Sequence, residues 1–180
     1  VEPKKHFDTL TYTGNGGTSQ AVSGLKFKPD FVWIKGHSSG SWNRLQNSVV
    51  GANKLLYTNS TNSEATNEVN GYVSSFTNDG FVLADPDGNG GGVNANSTTY
   101  VAWCWKAGGA AVSNTDGDIT SSVSVNEEAG FSVATYTGST ASGALTVGHG
   151  LGKKPAMVII KRRDSTGEWI VGHQGLAVNA

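Results

Sequence analysis

The chain has 180 residues, of which 15% are charged, and its formal net charge is -1. This balance provides no basic surface for nucleic acid or an anionic membrane, so we expect neither nucleic-acid binding nor membrane insertion. No window reaches the roughly 18 consecutive apolar residues of a transmembrane helix. Glycine is abundant, at 25 residues, and such a composition favours strands and turns. Because the chain begins at Val1 without an initiator methionine or an apolar signal core, we expect it to be processed, excised or incomplete.

Short alternating segments fill the first half of the chain. Residues 7–14 (FDTLTYTG) alternate between apolar and polar side chains and end in a glycine-rich turn, which predicts a strand. Residues 25–36 (LKFKPDFVWIKG) also alternate, but Pro29 interrupts them, so we expect a bent strand or two short ones. Residues 44–59 predict a strand pair, and residues 73–84 predict two strands around an Asn-Asp-Gly turn.

The second half continues in the same way. Residues 98–109 (TTYVAWCWKAGG) predict a strand rich in aromatic residues, and residues 110–126 predict short strands around an Asp-Gly turn. Residues 131–138 predict another strand and residues 144–173 three more, whereas residues 59–70 fit either a helical turn or a loop. Turns recur about every 8–12 residues, which predicts an all-β fold, an antiparallel β-sandwich of jelly-roll or lectin-like type.

Two parts of the chain repeat one another. FDTLTYTG begins at Phe7 and FSVATYTG at Phe131, an offset of 124, and the segments that follow match at an offset of 126. The matched pairs are Phe7 and Phe131, Tyr12 and Tyr136, Gly14 and Gly138, Leu25 and Leu151, Lys28 and Lys154, Pro29 and Pro155, Val32 and Val158, Ile34 and Ile160, and Lys35 and Lys161, with Trp42 and Trp169 as a further match. We therefore divide the chain into a β-sandwich unit at 1–121 and the start of a second repeat unit at 122–180.

The second unit is too short to close a sandwich by itself, because its edge strands would lack partners. Three arrangements remain open. The two units can share one sheet system, the chain can continue beyond Ala180, or a neighbouring subunit can complete the second unit.

Several ordered motifs carry a resemblance to a known family. They are FDTLTYTGNGG, LKFKPDFVWIKG, SVVGANKLLYTN, FTNDGFVLA, YVAWCWKAGG and VGHGLGKKPAMVIIKRR. Together the motifs resemble a domain of unknown function found in phage tail-fibre and other virion proteins, many from marine and cyanobacterial phages. The resemblance implies a β-rich structural protein of the virion that assembles with other virion subunits and takes part in host attachment. It also implies a homo-oligomer, with a trimer favoured, and a capsid decoration protein is the alternative.

An acidic loop is the best candidate for a metal site. Asp85, Asp87 and Asn89 stand at positions 1, 3 and 5 of a calcium-type loop, and Gly90 stands at position 6. Asn96 occupies position 12, where such loops carry an acid. We interpret the segment first as Asp-Gly turn chemistry, with calcium binding as the alternative.

Aromatic residues suggest a binding surface. Trp42 lies among serine, glycine and asparagine in SSGSWNRLQ, on a predicted loop, whereas most tryptophans of such a chain fill the core. An exposed Trp42, together with Tyr57 and the loop at 85–96, would contact a host-surface glycan or a partner subunit. The alternative function is therefore that of a carbohydrate-binding, lectin-like module.

Catalytic patterns are missing from the sequence. It contains no G-x-S-x-G turn, its four histidines show no H-x-x-x-H spacing, and the adjacent acids Glu127 and Glu128 point to opposite faces of a strand. The single cysteine, Cys104, alternates with the tryptophans of its strand, so we expect it to be buried and unreactive. We therefore expect no enzyme.

Overall fold

The computed structural model describes residues 2–88 and 91–176. These residues form a 3₁₀ turn at Pro3–Lys5 and fourteen strands. The strands are β1 (Phe7–Thr13), β2 (Ser19–Ser23), β3 (Phe31–Gly36), β4 (Arg44–Asn47), β5 (Lys54–Tyr57), β6 (Ala65–Thr66), β7 (Tyr72–Thr77), β8 (Gly80–Ala84), β9 (Thr99–Trp105), β10 (Val112–Asn114), β11 (Ser121–Asn126), β12 (Phe131–Tyr136), β13 (Met157–Lys161) and β14 (Trp169–His173). The all-β class is confirmed.

The strands form four antiparallel sheets. The first sheet has the order β1-β9-β3-β4-β5-β6 and the second has the order β2-β8-β7. These two sheets enclose the main core, as expected for a β-sandwich. The third sheet has the order β10-β11-β12, and β13 pairs with β14 alone in the fourth. β10, which lies in the first unit, pairs with β11, whereas no described strand after β9 joins either of the two sheets that enclose the core.

The core lies on the inner face of β9. Tyr100, Ala102 and Cys104 alternate inward along this strand and are almost completely buried, as are Phe81 and Leu83 of β8. Burying each large apolar side chain contributes roughly 1.5–3 kcal/mol, so this cluster is the main stabilising element of the first unit. Burial, with a smaller effect from the charge of Asp8, raises the pKa of the Cys104 thiol to about 12. The thiol is therefore protonated at neutral pH, in agreement with the sequence-based expectation for Cys104.

Two sequence predictions need correction. Leu25 and Phe27 are buried but belong to no strand. Pro29 has no backbone N–H to donate, and strand pairing begins only at Phe31, the first residue of β3. Residues 144–173 contain two strands and not three, since Val147 forms only an isolated bridge to Ile119. The undecided segment at 59–70 is a loop that contains the two-residue strand β6.

The hairpins β3–β4 and β13–β14 have the same register. Ile34 pairs with Arg44 in the first hairpin and Ile160 pairs with Ile170 in the second. Each residue of the second pair lies 126 positions after its counterpart in the first pair. This agreement supports the repeat, which stays a prediction. The same register aligns Trp169 with Asn43, so the match of Trp169 with Trp42 is wrong by one residue.

The two hairpins differ in what covers them. In the first unit β9 pairs with the other edge of β3, and Val32 and Ile34 are only 1–2% exposed. In the second unit β14 is the one described partner of β13, and Val158 and Ile160 are 41% and 40% exposed. The hairpin β13–β14 therefore has the register of β3–β4, but no described strand covers β13 as β9 covers β3.

The join between the units is anchored by Asp30. Its buried carboxylate accepts hydrogen bonds from the Ser48 hydroxyl at 2.8 Å, the Ala107 N–H at 2.8 Å and the Gly109 N–H at 3.3 Å. This set of donors satisfies the carboxylate and holds the chain where it leaves β9. Farther on, the ring of Phe131 stacks on Trp105, which packs β12 against the outer face of the first sheet.

Gln46, which sequence reasoning did not single out, ties the two sheets together. Its buried side chain accepts from the Val73 N–H at 2.7 Å and donates to the Val73 carbonyl at 2.9 Å. It also donates to the carbonyl of Ala52. Because β7 is an edge strand, the amide satisfies backbone groups that would otherwise be unpaired in the interior.

The substitution Gln46→Leu should lower the free energy of unfolding by about 2–4 kcal/mol, because it leaves both groups of Val73 unpaired in the core. Urea denaturation measures this change. Gln174→Leu, at an exposed glutamine, should change it by less than about 0.5 kcal/mol. Equal midpoints for the two variants would show that Gln46 does not tie the sheets.

Candidate functional site

The two aromatic residues predicted to bind a ligand lie together. Trp42 belongs to the loop before β4, and Tyr57 ends β5, which pairs with β4. Their ring centroids are 5.0 Å apart and the rings are nearly perpendicular, at 89°. Trp42 is 48% exposed, whereas Tyr57 is buried. Tyr57 therefore supports the indole from below, and Trp42 presents the larger surface to solvent.

A polar groove of about 490 Å³ begins at this pair. Its walls include Trp42, Tyr57, Asn62, Glu64, Glu68 and Thr166. The described residues of the 85–96 loop do not line it, so this part of the predicted ligand surface is replaced by the 62–68 loop. An exposed indole beside carboxylates and amides offers both apolar contact and hydrogen-bond partners to a ligand.

A buried cation lies beside Tyr57 at the groove. The Arg44 guanidinium carbon lies 5.6 Å from the centre of the Tyr57 ring. A side chain at Gly92 would overlap this guanidinium, so the absence of a Cβ makes room for it. Burial lowers the pKa of Arg44, and the nearby Tyr57 and Glu68 oppose the shift.

Glu68 and Tyr57 complement each other at the floor of the groove. Burial raises the pKa of Tyr57 to about 12, so its hydroxyl stays protonated. Partial burial tends to raise the pKa of Glu68, but hydrogen bonds from Asn70 and Tyr57 outweigh it and lower the pKa overall. Glu68 is therefore an ionised acceptor at neutral pH.

The second unit closes one side of the groove. The Arg163 guanidinium donates to both oxygens of Glu64, at 2.6 and 3.0 Å, and the Glu64 N–H donates to the Arg163 carbonyl at 2.8 Å. The Trp169 indole N–H donates to the carbonyls of Tyr57 at 3.0 Å and Ser60 at 3.1 Å. The hairpin β13–β14 is thus held to the groove by polar contacts.

The residues predicted to bind calcium differ in their exposure to solvent. The Asp85 side chain is fully buried and Asp87 is exposed, while Asn89 lies outside the described residues. In the part of the chain that the structure describes, no three His, Cys, Asp or Glu side chains lie close enough to hold one metal ion. Calcium binding by this loop stays a prediction.

The comparisons with known proteins give one result. The sequence model of a domain of unknown function, DUF7483, matches residues 2–180. The chain belongs to this family. No curated protein and no solved structure matches it. None of the helical segments that the structure describes is long and apolar enough to cross a membrane.

Sequence reasoning found the aromatic half of the groove and missed the polar half. Asn62, Glu64 and Glu68 lie in the stretch NSTNSEATNEVN, where two glutamates four residues apart are the only charges. The spacing of these two glutamates was the one sequence feature that could have indicated a polar site here. It could not show which way the side chains point, because β6 turns this loop back along β5.

The substitution Glu64→Gln should loosen the β13–β14 hairpin, because a neutral amide cannot form the charged bidentate pair with Arg163. We expect backbone amides at 157–173 to exchange hydrogen at least about fivefold faster. Hydrogen–deuterium exchange with mass spectrometry measures this rate.

Asp164→Asn is the matched control. The Arg162–Asp164 pair is as short, at 2.7 Å, but both side chains are exposed, and exposed pairs contribute little. Identical exchange in the two variants would contradict the anchoring role of Glu64.

Proposed function

We propose that the chain is a structural subunit of a phage virion, in a tail fibre or a similar appendage, where it assembles with copies of itself and with other virion subunits. The supporting observation is the apolar surface of the β13–β14 hairpin. Six side chains on its two faces are 40–59% exposed, namely Met157, Val158, Ile159, Ile160, Ile170 and Val171. Each face carries three of these side chains, and clustered exposed apolar residues mark interaction sites in folded proteins.

The viral setting of the proposal rests on the sequence resemblance to tail-fibre and virion domains. A homotrimer on the virion with a role in host attachment follows from the same resemblance. The all-β fold and the low content of charged residues suit a rigid extracellular assembly, and catalysis forms no part of the proposal.

The double substitution Ile159→Ser and Ile170→Ser should weaken self-association, because it removes one large apolar side chain from each face of the hairpin. We expect the dissociation constant to rise at least about tenfold. Light scattering after size-exclusion chromatography gives the mass of the assembly at micromolar concentration.

The control for this experiment replaces equally exposed apolar residues outside the hairpin, by Val69→Ser and Val112→Ser. It should leave the mass unchanged. A wild-type chain that is monomeric at micromolar concentration would argue against the assembly role.

A second candidate function is recognition of a host-surface glycan in the groove beside Trp42. It is favoured by the half-exposed indole, held by Tyr57 at the mouth of a groove that contains Glu64, Glu68 and Asn62. Sugars present both apolar C–H faces and hydroxyl groups, and this pairing of surfaces complements them.

The substitution Trp42→Ala should reduce glycan binding by at least about tenfold, because it removes the apolar platform of the groove. A glycan array followed by titration of the best ligand measures the effect. Tyr136→Ala, at another exposed aromatic residue, serves as the control and should bind like the wild type. Absence of binding by the wild type, or equal binding by both variants, would exclude this second function.

A further inference from the structure

Strand β13 has one edge that no described strand covers. The Gln174 N–H donates to the Ala156 carbonyl at 2.8 Å, which continues the ladder between β13 and β14. Alternate residues of an antiparallel strand bond to opposite sides. The even-numbered residues of β13 therefore bond to β14, and the backbone groups of Met157 and Ile159 point toward the open edge.

The first unit shows what fills this edge. The even-numbered residues of β3 likewise face β4, since the Ser48 N–H donates to the Asp30 carbonyl at 2.8 Å. The other edge of β3 belongs to β9, and the His37 N–H extends that ladder to the Thr99 carbonyl at 2.7 Å. At the offset of 126, the open edge of β13 is the counterpart of the edge that β9 occupies.

The side chains of β9 define the chemistry of a fitting partner. In the register of β3 and β9, Val32 is opposite Cys104 and Ile34 is opposite Ala102, so bulky residues meet small ones on the core face. On the other face Trp33 is opposite Trp103, with ring centroids 5.6 Å apart. The counterparts of Val32, Trp33 and Ile34 in β13 are all branched aliphatic residues.

We propose that the open edge of β13 takes up an extended segment of a neighbouring subunit, antiparallel to β13. Small residues of that segment face Val158 and Ile160, and aromatic residues face Met157 and Ile159. This inference rests on the proposed assembly function and adds to it the docking edge and the sequence pattern of the partner. In a second copy β9 already has β1 and β3 at its two edges, so the donor is a different subunit of the assembly that carries a segment of this pattern.

The test uses the full chain and a fluorescent peptide with the sequence of residues 99–106, carrying Cys104→Ser to prevent oxidation. Fluorescence anisotropy should show saturable binding. A control peptide with the same composition, in which large and small residues exchange places, should bind at least about tenfold more weakly, because the register would oppose bulky residues to bulky ones.

The variants test the edge itself. Ile159→Pro removes an N–H that faces the open edge and leaves those that face β14, so it should weaken peptide binding at least about tenfold. Ile159→Lys is the second variant, because a charge on an edge strand opposes pairing. Val171→Lys is the matched control, since Val171 lies directly opposite Ile159 on β14, is similarly exposed and should keep wild-type affinity.

The outcomes separate this inference from the proposed function. Failure of the peptide to bind, or equal binding by the Ile159 variants and Val171→Lys, would overturn it. An oligomer that Ile159→Pro dissociates, without peptide binding, would assign the edge to a second copy and also overturn it. A monomeric chain that binds the peptide at this edge would support strand uptake and contradict self-assembly.

Discussion

The first unit depends on strand β9, which lies between β1 and β3 and pairs with both along its length. Its small inward residues, Ala102 and Cys104, leave space for Ile34 and Val32 on the neighbouring strand, and the core closes over them. Since a strand with only one partner leaves backbone groups and apolar side chains exposed, the absence of a described counterpart of β9 beside β13 explains the exposed hairpin of the second unit.

The hairpin keeps its position through contacts with the first unit. An isolated two-stranded hairpin is at best marginally stable in water. Here the pair of Arg163 with Glu64 and the two hydrogen bonds of the Trp169 indole hold the hairpin to the first unit. As a result, the apolar assembly surface and the groove beside Trp42 are neighbours. A subunit that docks on the hairpin would also restrict the motion of the groove wall that the hairpin forms.

The candidate site was predictable in part. Trp42 stood out because a large aromatic residue lies among serine, glycine and asparagine, and its contact with Tyr57 follows from the short β4–β5 connection. Glu64 was not predictable as a site residue, since its position depends on an ion pair with Arg163, 99 residues away along the chain. In the acidic loop, the spacing of Asp85 and Asp87 resembles a calcium loop, and only the structure shows that Asp85 is buried while Asp87 is exposed. Calcium binding there stays a prediction.

The sequence by itself determined most of the strands and turns, because a period of two and glycine-containing turns are local properties of the chain. It also predicted a repeat of the β3–β4 segment. Only the tertiary structure decided that Leu25 and Phe27 are buried outside any strand, and that Trp169 aligns with Asn43. Above all, it placed β9 beside β3 and gave one edge of β13 no partner among the described strands. Strand order depends on packing between segments that are distant in sequence, and no local pattern encodes it.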